Sequence, residues 1–172
     1  VPTFVTGNGY VGTFEARAKV SQQEPNQIMH LHFIQKDTVV KIDCSTLTDI
    51  RKKPAYMDTT GGMYFKNDRP LFVHDPVFAT NKPLALLDIR AADNKDRWIV
   101  QLDLITGTIT ELDHQHDEAW IGGPGIPGYG FGNGTLGFLK DNQTVYFQSE
   151  VTGFSHLYLL HVKTKQKTQL TN

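Results

Sequence analysis

Cysteine is almost missing from this chain. Cys44 is the one thiol among 172 residues, which excludes an internal disulfide framework and says little about compartment. An excess of either charge is missing too. Seventeen lysines and arginines stand against 18 aspartates and glutamates, a formal net charge of −1. That gives no long-range pull toward nucleic acid or an anionic membrane, and neither is expected as a partner. No apolar run approaches the ~20 residues of a bilayer-spanning helix. The chain opens VPTFVTGNGY, with neither Met nor a basic-then-apolar leader, and is therefore expected to be a piece of a longer protein.

Helical periodicity is also scarce. No stretch carries apolar residues at i, i+3, i+4, i+7 with caps at both ends. One short candidate is Ser45 to Lys53, where Ser45 can cap a single turn and Pro54 limits it. Strand signals are abundant instead. Thr144 to Glu150, Leu157 to Val162 and Trp98 to Leu104 are rich in β-branched and aromatic residues. An all-β fold follows.

A repeat organises the strands. Ile99 to Asp113 aligns with Leu157 to Thr171: each is a strand, a turn at Thr-Gly or Thr-Lys, and a short strand ending in Leu plus a polar residue. A third copy, MHLHFIQKDTVVKID, runs from Met29 to Asp43 with Lys36-Asp37 in its turn. A further hairpin precedes each copy: Pro2 to Val20, Pro76 to Ala91 and Leu136 to Val151. Their turns are Gly7-Asn8-Gly9, Asn81-Lys82-Pro83 and Asp141-Asn142-Gln143, residues that tolerate turn geometry.

Four strands per unit predict a partial β-propeller of about three four-stranded antiparallel blades, near 1–48, 72–113 and 134–172. Linkers at 49–71 and 114–133 absorb the rest. The second linker holds GGPGIPGYGFGNG, Gly122 to Gly134, where Ile126, Tyr129 and Phe131 predict a loop packed on something. A β-sandwich with long loops is the competing architecture. Each blade buries its faces on its neighbours. Three blades leave an apolar face at each end, so self-association of the chain is expected.

The run Ser149-Glu150, Gly153, His156-Leu157-Tyr158 and Gln169-Leu170-Thr171 resembles the N-terminal propeller of the dipeptidyl peptidase IV branch of the prolyl oligopeptidase family. Arg90 to Trp98 and Asp117 to Ile121 are similar to its bacterial members. The resemblance implies a serine peptidase that removes dipeptides or tripeptides from peptide N-termini, periplasmic or secreted and without a cofactor. It also implies a C-terminal α/β-hydrolase domain as partner, carrying the nucleophile in a Gly-x-Ser-x-Gly elbow. The four serines here, Ser21, Ser45, Ser149 and Ser155, sit in no such elbow. This chain is accordingly expected to be non-catalytic, gating and orienting the peptide for a domain outside it. A stand-alone propeller that binds or scaffolds another molecule is the alternative.

Few residues suggest a site. In the family a pair of glutamates holds the substrate's α-ammonium, and Asp117 and Glu118 are the nearest counterpart; read alone they are a solvated acidic loop. His114, His116 and Glu118 alternate, so on an extended chain they share a face, as do His30 and His32. Without a distant third ligand in a clear motif, hydrogen-bonded histidines and no metal are expected. His156 is expected to hydrogen-bond within its own sheet. Asp93 to Arg97 reads as a turn in which Asp96 and Arg97 pair locally. A glycosidase would need two facing carboxylates, for which Asp75 and Asp117 are the candidates. Asn133-Gly134-Thr135 and Asn142-Gln143-Thr144 fit the glycosylation pattern, but no glycan is assigned.

Overall fold

The computed structural model of the protein describes residues 2–13, 26–57, 59–128 and 134–172. Among them there is no α-helix, only a single 3-10 turn at Ile34–Lys36 among antiparallel sheets. The proposed cap at Ser45 does not start a helix. Leu47, Ile50 and Lys52 each donate to the carbonyl three residues back, Asp43 rather than Ser45 caps the first turn, and Asp49 is left-handed at φ +56°. The turns stay separate because Leu47 and Ile50 both drop into a core below them.

Three layers follow one another along the chain. The first contains the hairpin of β3 (His30–Phe33) with β4 (Thr38–Lys41), while β1 (Pro2–Thr3) pairs with β2 (Gly12–Thr13) nearer the start of the chain. These are separate two-stranded sheets among the described residues, not one four-stranded unit. The last part of the hairpin expected from Pro2 to Val20 lies outside the described residues. The second layer has five strands: β5 (Leu71–Val73), β6 (Val77–Phe78), β7 (Leu84–Ala91), β8 (Asp96–Asp103) and β9 (Ile109–His116). β5 and β6 both pair with β7, so its edge strand is broken at His74 to Pro76. The third layer is β10 (Leu136–Phe138), β11 (Thr144–Ser149), β12 (His156–His161) and β13 (Lys167–Gln169), in that order across the sheet.

The repeat read from the sequence is visible in the backbone. Gly107 donates to Asp103 O at 2.8 Å, and its aligned residue Lys165 donates to His161 O at 2.9 Å. Leu104 donates to Pro83 O and Val162 to Gln143 O in the same way. The aligned turn residues Asp37, Gly107 and Lys165 all have positive φ, at 45°, 75° and 58°. A turn that tightens onto the strand before it needs that left-handed residue, which glycine adopts freely and other residues at a cost.

Alternation places the core. On β7 and β8 the side chains of Ala85, Leu87, Ile89, Ala91, Trp98, Val100 and Leu102 face the first layer, where Ile42, Leu47 and Ile50 meet them. Cys44, half-buried, packs against this cluster. The opposite face carries Leu86 and Ile99, which with Leu112 meet Leu136, Val145, Phe147, Tyr158 and Leu160 of the third layer. The second sheet is therefore covered on both faces. A two-layer sandwich leaves each sheet one wet face, so it does not describe this chain. A bulge between Ile99 and Val100 resets the register on β9: His114 and His116 face the first layer, Asp113 and Gln115 the third.

Candidate functional site

The second sheet is apolar through most of its length and ionic at one end, where β7 closes on β8 through the turn at Asn94, left-handed at φ +58°. The ionic groups divide between the two faces. Successive residues on a strand point to opposite sides, and Asp96 and Arg97 follow that rule. They do not pair with each other.

Arg97, fully buried, turns to the third layer. It places Nε 3.1 and 3.0 Å from the two Asp88 oxygens and Nη2 2.6 Å from Oδ2. Its Nη1 donates to Gln148 O at 2.7 Å and to Gln115 Oε1 at 3.3 Å. Gln115 passes the network to Asp113 at 2.9 Å, and Lys167 on β13 closes it at 2.6 Å. A chain of polar contacts thus crosses from β7 to the last strand of the next sheet. Beside it Arg90 donates to the carbonyls of Ile121 and Pro127, holding the glycine-rich segment against the sheet end. Ile126 is buried as a packed loop requires; Tyr129 and Phe131 lie outside the described residues.

Asp96 turns to the first layer. Its Oδ2 lies 2.7 Å from Arg69 Nη1, and its Oδ1 accepts from His114 Nε2 at 2.7 Å and His116 Nδ1 at 2.9 Å. Burial alone would raise this carboxyl's pKa. The donors from His114, Arg69 and His116 outweigh it and bring it down to about 2. His114 stacks on Trp98 with ring centres 5.5 Å apart, and Trp98 Nε1 donates to Thr48 O at 2.9 Å. The second nitrogen of His116 lies 3.1 Å from Glu118 Oε1.

The histidines thus converge, as their alternation predicts, but on a carboxylate with a guanidinium behind it. Arg69 meets the other oxygen of the same carboxylate. Among the described residues no group of three or more His, Cys, Asp or Glu is disposed to hold one. His114 and His116 belong to β9, not to a linker beginning at 114. His30 and His32 lie on β3, with His32 3.3 Å from the exposed Asp37.

Asp117 and Glu118 follow directly on the strand. Asp117 Oδ1 accepts from the amides of Ala119 at 2.7 Å and Trp120 at 3.0 Å, which depresses its pKa. Glu118, 59% exposed at its side chain, meets His116 and, at 3.4 Å, the Ala55 amide. Asp75 lies in the break between β5 and β6, at the opposite edge of the sheet from Asp117, so this pair does not face across a cleft.

Ser149 and Ser155 are structural. Ser149 is buried, and Ser155 Oγ donates to Pro124 O at 2.6 Å. His156 Nδ1 meets Thr171 Oγ1 at 3.2 Å within its own sheet. Near them is a cleft of about 560 Å³ lined by Gln148, Phe154, Ser155 and His156. Asn142 supports its turn by donating to Thr80 O at 2.8 Å. Sequence reasoning missed Arg69, Asp88 and Gln115. The available signal was a charged residue inside each apolar strand, LALLDIRA and DRWIVQLD.

No protein-family model matches the chain, and no curated protein is significantly similar to it. Among solved structures, that of a protein provisionally described as a dipeptidyl aminopeptidase IV, from Bacteroides ovatus, is similar over 86% of this chain, at 15% identity and a TM-score of 0.49. This chain spans 24% of the length of that one.

Proposed function

We propose that the chain is a segment of the β-propeller of a dipeptidyl or tripeptidyl aminopeptidase, a non-catalytic part that gates and orients the peptide N-terminus. A C-terminal serine hydrolase domain of the same parent would perform the cleavage. The observation that carries this reading is the stacking of repeated sheets in chain order, the third bearing the Ser149-Glu150, His156-Leu157-Tyr158 and Leu170-Thr171 run. In this reading Asp117 and Glu118 are the carboxylates offered to the peptide's α-ammonium, and the parent works in the periplasm or outside the cell.

The deciding experiment compares two proteins on a dipeptide reporter ending in Pro. The protein encoded by the whole reading frame should release the reporter group. This chain alone should not, because no serine in it is paired with a histidine base among the described residues. Turnover by the chain that survives purification overturns the division of labour. A reading frame with further sheets and no Gly-x-Ser-x-Gly segment favours the scaffold alternative.

Self-association accompanies the proposal. The outer face of the third sheet carries Tyr146, Leu157 and Leu159, each partly buried, with Leu170 exposed beside them. Two copies meeting there would scatter light as a species of twice 19.3 kDa. A monomer at high concentration counts against it.

A further inference from the structure

We propose that His116 is a proton-operated latch: clasped as an imidazolium between Asp96 and Glu118, it couples the segment after β9 to the Ala55 amide, and as a neutral ring it releases that amide. The inference is independent of the peptidase reading, since it uses only this chain's own contacts.

The geometry asks for two protons. Nδ1 lies 2.9 Å from Asp96 Oδ1 and Nε2 lies 3.1 Å from Glu118 Oε1. An ionised carboxylate accepts hydrogen bonds and donates none, and a neutral imidazole has a single N–H. Both contacts are satisfied together only when the ring is charged. Loss of one proton leaves a nitrogen lone pair facing a carboxylate. Asp96 is 2% exposed and is also held by Arg69 and His114, so it keeps its hydrogen bond. Glu118 is more than half exposed and can turn to water.

The surroundings favour the charged ring. Beyond Asp96 lie Arg69 and, 3.2 Å from it, Asp93. From the start of β8, Lys95 donates to the carbonyls of Glu118 and Ala119 and sits over the Tyr56 ring at 5.2 Å. Asp117, next in the chain, turns its carboxylate to the Ala119 and Trp120 amides. Two carboxylates, Asp96 and Glu118, therefore contact the imidazole directly, while Arg69 and Lys95 are engaged with other partners. Burial pulls the pKa of His116 down, but the hydrogen bonds to Glu118 and Asp96 outweigh it and raise it above the ordinary value.

Glu118 carries the mechanical link. Its Oε2 accepts from the Ala55 amide at 3.4 Å. The base of the loop has its own ties, Lys53 N to Met63 O and Phe65 N to Arg51 O, and does not depend on Glu118. Opening therefore frees the Ala55 amide, while Tyr56 keeps its contact with Lys95 and the stem stays closed. The sign is fixed: the link is complete below the ordinary histidine pKa of about 6.5 and is lost as pH rises through the higher folded value.

The test uses the whole chain. Ring nitrogen shifts should show His116 doubly protonated at pH 6.5, with its midpoint above that of a free histidine. Over the same pH interval the protection of the Ala55 amide, corrected for intrinsic exchange, should fall by about two- to fivefold, the worth of an exposed charged pair. The Lys53 amide should not follow. His116→Gln should abolish the step, and Glu118→Gln, an exposed substitution that keeps the fold, should shift the His116 midpoint to lower pH. A midpoint at or below 6.5, or an unchanged Ala55 step in either variant, overturns the latch.

Discussion

Arg97→Ala should cost about 3–5 kcal/mol in urea denaturation, the loss typical of breaking a buried ion pair from one side. Removing the guanidinium leaves the Asp88 carboxylate, 3% exposed at its side chain, without its cation. It also strips a donor from Gln148 O, the contact by which this side chain spans from the second sheet to the third. The partner experiment separates the pair from its desolvation. Replacing Asp88 and Arg97 together by apolar residues of similar size should recover a large part of the loss, because two charges no longer have to be held out of water. A double-variant loss equal to the sum of the two single losses would show that the pair does not act as one unit. A loss under about 1 kcal/mol for Arg97→Ala, the range of exposed pairs, would show that the interface is wet.

Acid should weaken the other face of the same sheet. Asp96 is held at about 2 by the donors around it, against an ordinary value of 3.8. The unfolded chain therefore takes up this proton first as the pH falls. The stabilisation is complete above pH 4 and disappears as the pH approaches 2, an amount of about 2–3 kcal/mol. Asp96→Asn should lose a comparable amount at pH 7 and show a correspondingly shallower dependence below pH 4. Urea midpoints for both proteins across that range decide the matter. Parallel curves would mean that the acid sensitivity lies in other depressed carboxylates, Asp141 and Asp117 among them. The His116 contribution runs in the opposite direction and in a higher window, so the two are separable.

Backbone chemistry was legible in the sequence because it is local. The strands of the second and third sheets, the turns at Asn81 and Asp141, and the repeat that aligns Gly107 with Lys165 all follow from alternation and left-handed turn residues. Partnering was not legible. Asp96 and Arg97 look like neighbours and are assigned to different interfaces, because a strand sends adjacent side chains apart. The bulge at Ile99 and Val100 carries β9 on to His116 and swaps which face each histidine takes, and nothing in ITELDHQH marks it. The four-strand unit expected at 1–48 divides into two hairpins among the described residues. Short runs such as HLHF and TVVK define a pair of strands but not what the pair joins. Arg69 has no local signal at all; its carboxylate partners lie 24 and 27 positions away across a turn region.

Cys44 gives this architecture a built-in chemical reporter. Its thiol lies against the packing between the β3–β4 hairpin and the second sheet, and burial followed by the nearby Asp43 raises its pKa. A thiol of that kind reacts slowly with disulfide reagents, since the thiolate is the nucleophile. Its alkylation rate then rises when the hairpin lifts away from the sheet, with no label to introduce and no second sulfhydryl to confuse the count.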